Sequence, residues 1–508
     1  MTRSPLPPAP RPALFLVLFL VLALPLISCS GTSVTQGPVD PSVMLDRDAD
    51  FNLRQHALRN AWDAAESSDT PRQDVRSMLK RLAWQRGAPG SLRVLAIDQL
   101  MRDEANLDDT RAMIAYMLPT ESRVGHEVVL ERMSAIAAER NWQGLKAPLV
   151  RSLANDVPSI PDRERPEYNA LASLSETGDP SESIFDVFAG ASSPYRISSE
   201  DGDTRTRRLE AWALLTRLDP SGDAVRRMID RAEIDDTLDP EARTLIEDAR
   251  AAVTTFGTVP SSPEQLAWVG RLRRGDSTEL WSRGESLADS LTSEKRPGVR
   301  LRHLAGLLWA RDNAPDVFDM PRRSLIEEID ARLSGIRKHS RGAGAGRKRE
   351  IIREWRDELT WADLVLIATA MRLGEQPDAR AALFAQADRD HTDRTTEYGG
   401  LIVATESGAL MPRLYPPRTS QRYGDRRFVA SDDMIAQGDD ALFHYHFQAQ
   451  DHDNQGYAGP SLGDIQYAQR FGRSCLVFTF VDEDALNADY YQPDGARIDL
   501  GVIKRPGN

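Results

Sequence analysis

Eight histidines occur in the 508 residues, and three of them, His444, His446 and His452, crowd one short segment. In an extended strand alternate side chains share a face. Phe443-His444-Tyr445-His446-Phe447 would therefore show both imidazoles on one side and three aromatic rings on the other. Two imidazoles on a shared face, with a carboxylate nearby, suit a divalent transition metal. Downstream, Gly459-Pro460-Ser461-Leu462-Gly463-Asp464 supplies the carboxylate. Upstream, Glu397 precedes Gly399-Gly400-Leu401-Ile402-Val403, which reads as the entry to a strand. A second acid beside a metal with an open position points to hydrolysis rather than to storage.

The elements that must position these groups lie in residues 377–508, an α/β domain of ordinary size for one core. A helix is expected through Ala379 to Ala387, followed by the Glu397 strand and a strand-rich stretch broken by Pro412, Pro416 and Pro417. A short helix should follow Ser431, and Ala441 to Ala449 should form the histidine strand. Ser461 to Arg470 reads as a helix, with Cys475 to Val481 and Ile498 to Ile503 as strands. Ser461-x-x-Asp464 is also a helix start, with serine as N-cap and aspartate three residues on. That cap explains the motif without any metal, but it would also orient both side chains for one.

With these residues in order, 377–508 resembles the JAB/MPN domain, whose catalytic members are the JAMM metalloproteases. The likeness rests on Glu397 with Gly399-Gly400, on His444-Tyr445-His446, and on Ser461-Leu462-Gly463-Asp464. It implies that His444, His446 and Asp464 bind Zn²⁺, one per chain, with a water in the open position. By the same resemblance Glu397 would move the proton of that water, and Ser461 would donate a hydrogen bond to the developing oxyanion. Two features depart from the family pattern. The segment from Phe447 to Pro460 is longer than usual, and Phe447 stands where a proline is common. The polar insert carries Asp451, His452 and Asp453, which would lie beside the cleft as possible substrate or ligand contacts, or as exposed loop residues.

Residues 51–374 carry a helical pattern almost throughout. Leu301, Leu304, Ala305 and Leu308 repeat at helical spacing, as do Trp361, Leu364, Val365 and Ala368. Ser91 to Met101 is apolar on a broader face. Gly87-Ala88-Pro89-Gly90, Asp219-Pro220-Ser221-Gly222 and Pro260-Ser261-Ser262-Pro263 separate helices. The fold class is thus multidomain: an α-helical array, solenoid-like and loosely similar to HEAT repeats, followed by the α/β domain. A non-repetitive helical bundle accounts for the same pattern, since no period recurs. His56, His126 and His303 are isolated and read as packed or surface residues. A basic, glycine-rich stretch within 335–349 reads as a solvated loop, with contact to anionic lipid as the alternative.

Before these regions, residues 1–28 read as a signal peptide. Arg3 and Arg11 precede an apolar run too short to span a bilayer comfortably, which favours a cleaved signal over a transmembrane helix. Leu26-Ile27-Ser28-Cys29 looks like a bacterial lipobox, which implies lipidation of Cys29; an ordinary signal peptide or an uncleaved anchor is the other reading. Ser30 favours the outer over the inner membrane, and 29–50 would be a flexible tether. The expected location is the cell envelope, with a lipid anchor. The formal charge of −13 argues against nucleic acid as a partner. Cys475, in an apolar run, is expected to be a small buried hydrophobe.

Two functions follow. The first is a lipid-anchored zinc hydrolase of the JAMM type, cleaving an amide or isopeptide bond in a peptide or protein that the helical region recruits. The second is a non-catalytic envelope scaffold whose helical array and JAB-like domain bind protein partners.

Overall fold

The computed structural model describes residues 39–507 apart from 68–70, 122–126, 191–200, 236–237, 337–349 and 425–426. The expected signal peptide, Cys29, the first part of the expected tether, His126 and nearly all of the basic stretch lie outside the described residues. Among those described, no helix is long and apolar enough to cross a membrane.

The chain divides into two compact units, residues 1–79 and 80–508. In the first, a short 3-10 helix (Pro41–Leu45) precedes helices Phe51–Arg59 and Ala61–Ser67. Asp50 caps the first helix through the backbone N–H groups of Asn52 and Leu53, and the Arg54 guanidinium donates to the Met44 carbonyl.

The second unit is helical from its start to Thr392, then carries one six-stranded mixed sheet. Breaks at 87–89, 219–222 and 260–262 separate helices as their turn residues require. Buried arginines tie neighbouring helices together. Arg93, for example, donates to Ala83 O and to both Glu121 oxygens, a forked pairing that suits guanidinium.

Three helices matter for the site: α1 (Pro263–Arg274), α2 (Trp361–Glu375) and α3 (Pro377–Thr392). Thr360 and Asp363 close a capping box at the start of α2. Most of that helix is buried, on more than one side, because it lies within a core shared by preceding helices and the sheet. The core therefore runs through position 377 without a break. His303 is fully buried and holds Asp363 through Nε2 (2.8 Å), as a packed residue should.

The sheet has order β2-β1-β3-β4-β5-β6, with β1 (Gly399–Ala404), β2 (Leu410–Leu414), β3 (Phe443–Gln448), β4 (Cys475–Asp482), β5 (Ala485–Tyr491) and β6 (Arg497–Lys504). Only β3 and β4 are parallel. Parallel neighbours need a long crossover, and residues 449–474 provide it, including the last helix, α5 (Leu462–Phe471). A short helix, α4 (Asp432–Ala436), begins at the Ser431 N-cap, as expected.

Several boundaries differ from the sequence reading. The α3 helix extends past Ala387 to Thr392, and β3 is shorter than 441–449. Glu397 stands before β1 rather than in it, although the ladder reaches Tyr398, whose carbonyl accepts from Phe447 N. Strand β5 was not anticipated. Its Asn487 and Asp489 interrupt the apolar run that marks a strand, yet both are fully buried.

Candidate functional site

Strand alternation divides β3 as its residues demand. Phe443, Tyr445 and Phe447 enter the main core. His444 and His446 take the opposite face, where α5 packs with Ile465 and Ala468 beside Cys475, Val477 and Tyr491. Both histidines are 2% exposed.

Each imidazole directs Nδ1 at a tyrosine. His444 Nδ1 lies 2.8 Å from the Tyr467 hydroxyl, and His446 Nδ1 lies 3.5 Å from that of Tyr491, a much weaker contact. The Nε2 atoms are left for other work. His446 Nε2 stands 3.4 Å from Asp464 Oδ1. His444 Nε2 is buried with no hydrogen-bond partner. Burial holds both rings below the ordinary histidine range. The Arg473 cation adds to this at His444, whereas Asp464 opposes it at His446. Both rings are thus neutral, the form that offers a lone pair to a metal.

Asp464 comes from the first turn of α5. Its N–H donates to Ser461 Oγ (3.3 Å), and Ser461 N–H donates to Asp464 Oδ2 (2.6 Å). This capping box satisfies two helix-start donors and leaves Oδ1 facing His446. Cap and site therefore share the same residues.

The two glycines are explained by close approach. A Cβ on Gly399 would come within 2.4 Å of Phe428 Cε2 and of Tyr445 O, and one on Gly400 within 2.0 Å of Arg413 O. Gly399 pairs with His446 in the sheet. The space that it leaves admits the Phe428 ring, stacked on His446 at 5.4 Å and 14°.

Glu397 is 7% exposed, and its Oε1 accepts from Gln450 Nε2 (3.0 Å). Gln450 in turn accepts from Asn454 (2.7 Å), whose backbone N–H donates to Phe480 O. The polar insert is therefore folded back on the sheet. His452 stacks on His391 of α3 (4.1 Å, 18°), Asp451 stands 3.6 Å from Arg394, and Asp453 is exposed.

The structure thus joins Ser461, Asp464 and His446, sets His444 on the same strand face, and gives Glu397 to the insert. Among the described residues, no three His, Cys, Asp or Glu side chains form a group that could hold a metal. By donor type the set still suits zinc, with two neutral imidazoles and a carboxylate, one imidazole nitrogen being buried and unpaired.

No family model, curated protein or solved structure matches the chain. The site must be judged on its own contacts.

Tyr467, Tyr491, Arg473 and Phe428 were not foreseen as neighbours of the pair. Tyr467 had a signal, since it stands three residues after Asp464 on the same helix face. Arg473 is buried, over the Trp268 ring at 3.2 Å and 3.6 Å from Asp439. Burial lowers its guanidinium to about 10, so it remains charged at neutral pH. The α1 helix holds this end of α5. Ser262 Oγ donates to Arg470 O (2.7 Å), and Arg271 pairs with both Asp439 oxygens.

Proposed function

We propose that residues 377–508 are a zinc-dependent hydrolase domain of the JAMM type, cleaving an amide or isopeptide bond. The protein would be carried on a lipid at Cys29 in the cell envelope, with the helical region recruiting a peptide or protein. The observation that carries this reading is the shared orientation of the histidines: each turns Nδ1 toward a tyrosine hydroxyl and keeps Nε2 for another partner. Partners on the far nitrogen are how proteins fix metal-binding imidazoles.

His444, His446 and Asp464 are the residues that would hold the ion. When bound, zinc supplies a water acidic enough to ionise near neutral pH. The chain's own groups do the rest. Glu397 would accept a proton on a carboxylate oxygen and return it to the leaving amine, once Gln450 releases Oε1. Ser461 Oγ accepts from Asp464 N–H, which leaves its hydroxyl proton to donate to an oxyanion. The Phe428 ring covers one face of His446.

One observation favours the scaffold reading instead. Ser461, Asp464 and Glu397 all have structural partners without a metal. Turnover of an amide-linked peptide or cell-wall crosslink by the full-length protein separates the two. Glu397→Gln should retain zinc and lose about a hundredfold or more in rate. Equal rates in variant and parent would dismiss the hydrolase.

A further inference from the structure

A cavity lies away from the histidines, where the turn after β5 and the end of α5 meet the helical region. Its volume is about 310 Å³. Phe256, Val259, Val269, Leu301 and Pro493 give it apolar walls, and Arg300 and Arg302 give it two cations.

The charges there are unequally matched. Arg302 is buried, with its Nη2 2.8 Å from Asp363 and 3.7 Å from Asp494, while its Nε has no hydrogen-bond acceptor. Asp363 is further committed to His303 and, through Oδ2, to Thr360. Asp494 accepts from Gln492 Nε2 with both oxygens and from Ala496 N–H. Among the described residues, Arg300 has no carboxylate within ion-pair reach and no acceptor for its guanidinium. Arg300 reaches the surface; burial of part of the side chain and the Arg302 cation lower it from its ordinary range, against the opposing pull of Asp363 and Asp494. Two cations thus face two carboxylates at this apolar hollow, but both carboxylates are hydrogen-bonded elsewhere and the Arg300 guanidinium is left without a close acceptor.

We infer that this cavity binds a small organic carboxylate with an apolar body, its head group on Arg300 and its body against Phe256 and Val259. A planar carboxylate matches the guanidinium fork of Arg300, which has no close acceptor of its own. A phosphate dianion would set a second negative charge beside Asp494. Cavities of this size with apolar walls and few polar groups are how proteins hold small ligands.

Titration calorimetry on the full-length chain tests this with phenylacetate, its neutral isostere phenylacetamide, and inorganic phosphate. Phenylacetate should bind saturably, and both other probes about tenfold or more weakly. Arg300→Ala should lose at least about tenfold in phenylacetate affinity, with Arg300→Lys intermediate. Arg300 is exposed, so both variants should keep the parent circular dichroism. The inference is overturned if phenylacetate does not bind, if phenylacetamide or phosphate binds as well, or if a folded Arg300→Ala variant binds phenylacetate unchanged.

Discussion

His446 Nε2 and Asp464 Oδ1 face each other across 3.4 Å, one from the middle of the sheet and the other from the first turn of α5. That distance joins two proposed ligands that the sequence separates by a long polar insert. It depends on the Ser461 cap, because the cap holds Oδ2 and so turns Oδ1 toward the ring.

Substitutions at the cap separate its two duties. Ser461→Ala should cost about 1 kcal/mol of stability in urea denaturation through loss of the N-cap acceptor. Asp464→Asn keeps an oxygen for the Ser461 N–H but removes the charge beside His446. It should change stability by less than about 1 kcal/mol and weaken zinc affinity sharply.

Tyr467→Phe deletes one hydroxyl, the partner of His444 Nδ1. Loss of an outer partner of a metal-binding histidine typically costs about 10–100-fold in metal affinity. A chelator competition should find that loss. If the histidines serve only to pack, the same variant should leave zinc affinity unaltered.

Gly399→Ala places a methyl group against Phe428 and the Tyr445 carbonyl. Phe428 can swing aside, but the carbonyl belongs to the paired strand. The expected cost is about 1–3 kcal/mol, measured as a lower denaturation midpoint.

A pH titration of stability reports on His303. Burial, reinforced by Arg302, lowers this imidazole to about 4, against about 6.5 in an unfolded chain. Because the folded value is the lower one, the contribution is complete above about pH 6.5 and declines as pH falls toward 4. Its full size is about 3 kcal/mol. His303→Gln should flatten this part of the curve.

Much of the local structure could be read from residue order. The two faces of β3, the Ser461 cap and the start of α5 follow from alternation and from side chains that reach their own backbone. Each is decided within a few residues. The neighbours of the site are decided elsewhere. Tyr491 lies on β5, which escaped notice because Asn487 and Asp489 look like surface residues. In the fold Asp489 pairs directly with Asp499 and is buried. Phe428 reaches His446 only because Gly399 yields the space, and Arg473 is buried because Trp268, far back in the helical region, lies beneath it. Tertiary contacts of this kind leave no periodic trace. The continuity of the core across position 377 was hidden for a related reason: α2 is apolar well beyond one face, a pattern that does not say what packs against each side.

Elemental analysis of the full-length protein, purified from metal-replete cells without chelator, bears most directly on the central claim. About one zinc per chain is expected, falling to background in His444→Ala and in His446→Ala while both variants stay folded. Protein that is folded, metal-replete in its preparation and free of zinc would contradict the assignment of His444, His446 and Asp464 as ligands.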